Sequence, residues 1–161
     1  MTEFLTSTIE SPIGPLTLVA RDGVLTDLSM HDQRHTSPPP DDAITDDAWF
    51  KDLTAQLDAY FVGELLSFDV EMNLVGTPFQ QSVWSRLCEI PYGETISYGE
   101  LARRIGKPQA SRAVGLANGR NPVAIIVPCH RVIGADGSLT GYGGGLERKT
   151  WLLEHEVKHR P

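Results

Sequence analysis

The chain has almost no cysteine: Cys88 and Cys129 are the only two in 161 residues. That excludes a disulfide framework and the zinc patterns built on paired cysteines, and it fits a reducing compartment. No apolar run approaches the roughly 20 residues that a membrane span needs. Met1-Thr2-Glu3-Phe4 lacks the basic and apolar regions of a secretory signal. A cytoplasmic protein without a membrane partner is therefore expected. Basic residues are scarce in the first half, where residues 1–75 hold 3 Lys and Arg against 14 Asp and Glu. Residues 76–161 hold 11 against 7, so the net charge of −7 conceals an acidic half joined to a basic one. Two domains, 1–75 and 76–161, are the natural division, and the second is able to approach a polyanion. A mildly basic domain is also common without any such partner. His31 and His35 lie among loop residues without companion ligands, so neither a metal nor a cofactor is expected.

What is present is a globular composition, 40% hydrophobic and 22% charged, with enough chain for one core or two small ones. Phe4–Glu10, Pro15–Ala20 and Val24–Met30 read as strands separated by the turns Ser11-Pro12-Ile13-Gly14 and Arg21-Asp22-Gly23. The stretch 31–42, with Pro38-Pro39-Pro40, reads as an exposed loop. Trp49, Phe50, Leu53, Leu57, Tyr60 and Phe61 recur at helical spacing, ahead of Gly63. Phe68, Val70 and Met72 alternate as in one more strand. The first half is thus a small sheet-plus-helix unit, and the fold class is α+β.

From Gly76 onward the pattern is helical. Thr77, Pro78 and Gln80 form a capping box before the stripe Phe79, Val83, Trp84, Leu87 and Ile90, with Cys88 bordering it as a packing residue. Ser97 and Glu100 predict a second capping box, opening a helix to about Ile105. Gly106-Lys107-Pro108 turns the chain into a short helix over 110–118, the outline of a helix-turn-helix. Ser111, Ala113, Gly115 and Ala117 make that second helix narrow, and Arg112 is its one long cation. A reader of major-groove base edges would display several long polar side chains. Close approach with a single inserted arginine fits the minor groove better. Packing of Ala113 and Ala117 against the preceding helix accounts for the small residues equally well.

Pro128-Cys129-His130-Arg131 turns one cysteine into a candidate nucleophile. The apolar run Val123–Val127 reads as a buried segment that Pro128 terminates. His130 and Arg131 are residue types that favour a thiolate if they fold back towards the sulfur. A free cysteine is also often just a small buried hydrophobe. Residues 134–145 then hold six glycines in twelve positions, a loop suited to close approach to a ligand, without the lysine and hydroxyl that end a phosphate loop. In the last helix Trp151, Leu152 and Leu153 supply the buried side. Glu154, His155 and Glu156 lie near its end, where a carboxylate is either solvated surface or placed to orient a histidine arriving from elsewhere in the fold.

Taken together, residues 76–156 resemble the active domain of the O6-alkylguanine-DNA alkyltransferases. The resemblance rests on Thr77-Pro78-Phe79-Gln80, Ile90-Pro91-Tyr92-Gly93-Glu94-Thr95, Ser97-Tyr98-Gly99-Glu100, Arg112-Ala113-Val114-Gly115 and Asn121-Pro122. Ile126 to Ile133, Gly141-Tyr142-Gly143-Gly144-Gly145 and Trp151 to Glu156 complete it. It implies that alkylated double-stranded DNA is the partner, with O6-alkylguanine as substrate and O4-alkylthymine as a further candidate. Cys129 would accept the alkyl group irreversibly, once per molecule. His130 would be its base through a water, Glu156 would orient the imidazole, Asn121 would belong to the same network, and Tyr98 would protonate the leaving guanine. The nucleotide would be flipped out through the minor groove. Arg112 would fill the gap in the stack, and Ser111, Ala113 and Gly115 would let the helix in. Tyr142, Gly143, Gly144, Val127 and Pro128 would line the pocket. The acting form would be a monomer, with cooperative binding along DNA open.

Two other classes fit parts of the pattern. A DNA-binding regulator would use the helix-turn-helix without covalent chemistry. A cysteine hydrolase or redox sensor would need turnover or a resolving thiol, and Cys88 is expected on a different, buried helix face.

Overall fold

The computed structural model describes residues 2–161. Three strands, β1 (Phe4–Ile9), β2 (Leu16–Arg21) and β3 (Val24–Met30), form an antiparallel meander. Alternate positions of β1 are buried, whereas β2 buries Leu16, Leu18, Val19 and Ala20 and β3 buries Leu25, Thr26, Leu28 and Met30 across a register shift in their pairing. A short strand that the sequence did not suggest, β4 (Ile44–Thr45), pairs parallel with β1 and gives the order β3-β2-β1-β4. Its two residues are both exposed, so no periodicity announced it.

Helix α1 (Lys51–Phe61) begins two residues after Trp49, which stays 42% exposed, and buries Leu53, Leu57 and Tyr60. The strand expected over Phe68, Val70 and Met72 does not form. Only an isolated bridge from Met72 to Leu25 remains, because Phe68, Val70 and Met72 use their alternation to pack against the core without a neighbouring strand.

Helix α2 (Pro78–Leu87) carries both halves of the Thr77–Gln80 capping box, a feature worth about 1 kcal/mol. Helix α3 (Tyr98–Arg104) is capped by Ser97, which accepts from the Glu100 amide. The reciprocal half of the expected box is missing, since Glu100 turns instead to Arg103 and Arg104. Helix α4 (Ser111–Gly119) completes the helix-turn-helix, and helix α5 (Leu146–His159) closes the chain. Ala117 is buried and its carbonyl accepts from Trp84 Nε1 at 2.9 Å, while Ala113 is exposed. Packing therefore accounts for Ala117 and not for Ala113, one turn earlier on the same side of the helix and nearer its exposed end.

Two backbone connections fix the surroundings of Cys129. β5 (Ile96–Ser97) pairs parallel with β6 (Val132–Ile133), so the start of α3 is tied to the segment just past the cysteine. Val123 bridges to Leu28, with Leu28 N–H donating to Pro122 O at 2.9 Å and Ala124 N–H to Leu28 O at 3.1 Å. The segment leading to Cys129 is thereby bonded to the free edge of the first-half sheet, and buried residues from both halves form one continuous cluster.

Candidate active site

Val123 to Val127 is buried throughout, as expected, but its backbone is tightly turned. Ile126 N–H bonds Ala124 O at 2.8 Å and Cys129 N–H bonds Val127 O at 2.8 Å. Ile125 adopts φ 72°, a region that costs a β-branched residue of order 1–3 kcal/mol. The surrounding core holds it there, since Ile125 is almost completely enclosed. Cys129 emerges from this segment as the first residue of a 3₁₀ turn with His130 and Arg131, and all three are buried.

Glu156 is the hub beneath the turn. Its carboxylate accepts from Tyr60 Oη at 2.7 Å, from Arg131 Nε at 2.8 Å and Nη2 at 3.0 Å, and faces His130 Nε2 at 2.7 Å. Gly93 N–H adds a longer bond of 3.4 Å. Burial works against ionisation here, but the hydrogen bonds from His130 and Arg131 and the Arg131 charge hold Glu156 well below the usual carboxylate range. An ionised acceptor at Nε2 requires the proton of a neutral His130 to sit on that nitrogen. Nδ1 is then the basic atom, and it is buried with no hydrogen-bond partner among the described residues. Burial lowers the His130 pKa more than Glu156 restores it, so the ring is neutral near pH 7.

The thiol itself is pushed up by burial. The Asn121 amide, the Lys149 ammonium and the Tyr142 hydroxyl all oppose that shift. Asn121 is fixed by its own bonds, Nδ2 to Val127 O at 2.7 Å and Oδ1 from Val123 N–H at 3.0 Å. Asn118 Nδ2 reaches Cys129 O at 3.3 Å. The Tyr142 hydroxyl lies beside the thiol, buried and without a hydrogen-bond partner that meets ordinary geometry. Tyr98 Oη donates to Thr140 O at 3.2 Å, and burial raises its pKa, so it remains a proton donor at neutral pH.

The structure thus brings Cys129, His130, Glu156, Asn121, Tyr98, Tyr142, Val127 and Pro128 into one neighbourhood, with Gly143 and Gly144 on the loop beside them. Ser111, Arg112 and Ala113 are set apart, exposed on the outer side of α4. Gly115 is half-buried, and a Cβ there would meet the Tyr98 ring at 3.7 Å. It therefore links α4 to the pocket and does not simply face outward. Leu116, 71% exposed, joins the outer face. Cys88 is exposed, contrary to the packing role expected of it, because it falls at the C-cap of α2, where the buried stripe has passed to Leu87 and Ile90.

Arg131, expected to favour the thiolate by folding back towards the sulfur, binds Glu156 and Ile90 O instead. Three contributors were not legible in the sequence as site residues: Tyr60, Asn118 and Lys149. Lys149 is fully buried, donates to Val132 O at 2.6 Å and Thr140 O at 3.3 Å, and sits 5.9 Å from the ring centroids of Tyr98 and Tyr142. The available signal was the spacing of Lys149, Leu152, His155 and Glu156, which share the buried face of α5.

Residues 78–158 match the family described as 6-O-methylguanine DNA methyltransferase, DNA binding domain, and residues 4–74 match its ribonuclease-like domain. A methylated-DNA–protein-cysteine methyltransferase of Mycobacterium bovis is 60% identical over 154 residues, 96% of this chain and 93% of its own. A counterpart from Methanosarcina acetivorans is 54% identical over 147 residues, 91% of this chain and 94% of its own. The crystal structure of Mycobacterium tuberculosis OGT in complex with DNA superposes with a TM-score of 0.89 at 57% identity, covering 99% of this chain and 95% of that one.

Proposed function

The chain belongs to the 6-O-methylguanine DNA methyltransferase family, and from that premise we propose how its residues divide the work. The activity is that of a methylated-DNA–protein-cysteine methyltransferase: DNA is repaired by moving the alkyl group of O6-alkylguanine to the protein. In our reading Cys129 is the acceptor. Its proton passes through a water to His130 Nδ1, and the resulting imidazolium is balanced by Glu156. The thiolate attacks the alkyl carbon in line, a carbon–sulfur bond forms, and the bond from carbon to O6 breaks. Charge developing on guanine is met by a proton from Tyr98. The thioether is stable, so one molecule acts once.

The observation that carries this reading is the buried His130–Glu156 pair at 2.7 Å, next in sequence to a buried cysteine and with Nδ1 unpaired among the described residues. Arg112, exposed at the start of α4 beside Ser111 and Ala113, replaces the flipped base in the stack. In our reading the acting unit is a monomer. The basic half, 76–161, carries the DNA contact and the chemistry. Cys129→Ser tests the assignment: transfer should be abolished while binding to a lesion-bearing duplex is retained. Transfer that survived in this variant would remove Cys129 from the role.

A further inference from the structure

The pocket wall opposite Cys129 is a loop without regular structure, residues 140–145, and it carries Tyr142. Its first residue is held from within the basic half, where Tyr98 and Lys149 both donate to Thr140 O. The remainder is held from the acidic half. Arg34 N–H donates to Gly143 O at 2.9 Å, and Arg34 Nη2 to Tyr142 O at 3.3 Å. A Cβ at Gly144 would lie 2.5 Å from Met30 Sδ and 2.9 Å from the Tyr142 ring, so a larger residue would displace the Met30 or Tyr142 side chain.

Arg148 joins these contacts. Its guanidinium donates to Ile13 O in the β1–β2 turn at 3.1 Å, to His31 O after β3, and to Gly144 O in the loop at 3.3 Å. Three segments from two halves of the chain thus meet on one planar fork, which a lysine ammonium does not reproduce. All its acceptors are neutral carbonyls, so the side chain is spent on geometry and not on neutralising a carboxylate. Its neighbour Lys149 turns the other way, towards the thiol.

We infer that Arg148 and Arg34 are positioning residues for alkyl transfer: through them the acidic half fixes how closely Tyr142 closes over Cys129, and so which alkyl groups are held in line. This inference rests on the acceptor role proposed for Cys129. A wall that retreats leaves a methyl carbon loosely placed, and loss of alignment by an ångström is costly in rate. A benzyl group fills the wider space and keeps its alignment.

The test compares wild type, Arg148→Met and Arg34→Ala. Each reacts in single turnover with duplexes bearing one O6-methylguanine or one O6-benzylguanine, and Cys129 alkylation is read by mass. In both variants the methyl rate constant should fall about tenfold, the benzyl rate constant should change by less than about threefold, and the final extent of reaction should stay complete. The benzyl-to-methyl ratio then rises. Loss of folded protein lowers the extent of reaction for both substrates and leaves that ratio unchanged. Arg34 is exposed, so its variant keeps the comparison usable if Arg148→Met folds poorly. An unchanged ratio in Arg34→Ala and in the folded fraction of Arg148→Met overturns this inference alone. Absence of transfer in wild type overturns the acceptor reading and this inference with it.

Discussion

His130 Nε2 and Glu156 Oε2 stand 2.7 Å apart at positions 0% and 1% exposed, at the centre of a carboxylate that also binds Tyr60 and Arg131. One carboxylate therefore serves two ends. It sets the histidine tautomer, and it compensates the Arg131 guanidinium, which is also buried.

Glu156→Ala should for that reason cost both stability and rate. Removing one member of a buried ion pair strands the other, a loss of about 3–5 kcal/mol. Chemical denaturation should show the drop, and the folded fraction should transfer alkyl groups at least about a hundredfold more slowly, in keeping with general-base catalysis. Near-wild-type stability would mean that Arg131 finds water once the carboxylate is gone.

Tyr60→Phe separates the two ends. It deletes one hydrogen bond to a charged acceptor, worth about 1.5–3 kcal/mol, while His130 and Arg131 keep theirs. The denaturation midpoint should fall, with the single-turnover rate constant within about threefold of wild type. A rate loss as large as that of Glu156→Ala would place Tyr60 in the chemistry.

Acid should destabilise the protein in two overlapping stages. Burial lowers the His130 pKa, so the unfolded chain binds the proton more readily, and stability is lost as pH drops below about 6.5. His130 and Arg131 depress Glu156 against the effect of burial, so its contribution is full above about 4.3 and is lost as pH falls further. Urea midpoints at pH 7.5, 6 and 5 should decline in that order. A flat profile would contradict the buried neutral imidazole.

Arg112→Ala should slow repair of O6-methylguanine in duplex DNA far more than reaction with free O6-benzylguanine, because a free base needs no extrusion. The guanidinium is exposed on α4, away from the thiol. Equal losses on both substrates would remove the flipping role.

Much of this was legible in the residues. The capping box at Thr77 and Gln80, the turn at Gly106 and the period-2 burial of β1 are local effects, and local propensity decides them. Phe68, Val70 and Met72 misled because alternation describes a face to be buried and supplies no strand to pair with. Cys88 misled because one residue past a helical stripe is enough to leave the core. Lys149 and Tyr60 were hidden for a different reason. A buried charge or hydroxyl is tolerated only where distant partners meet it, and those partners, Val132, Thr140 and Glu156, converge only through the tertiary fold. The contact of Arg148 with Ile13 and His31 spans more than a hundred residues and leaves no local trace.

Intact mass and peptide mapping after incubation with excess duplex bearing one O6-methylguanine test the central claim most directly. The account predicts one added methyl per protein, saturating, on the peptide that contains Cys129. Tight lesion binding with no adduct, or an adduct on the peptide that contains Cys88, would contradict it.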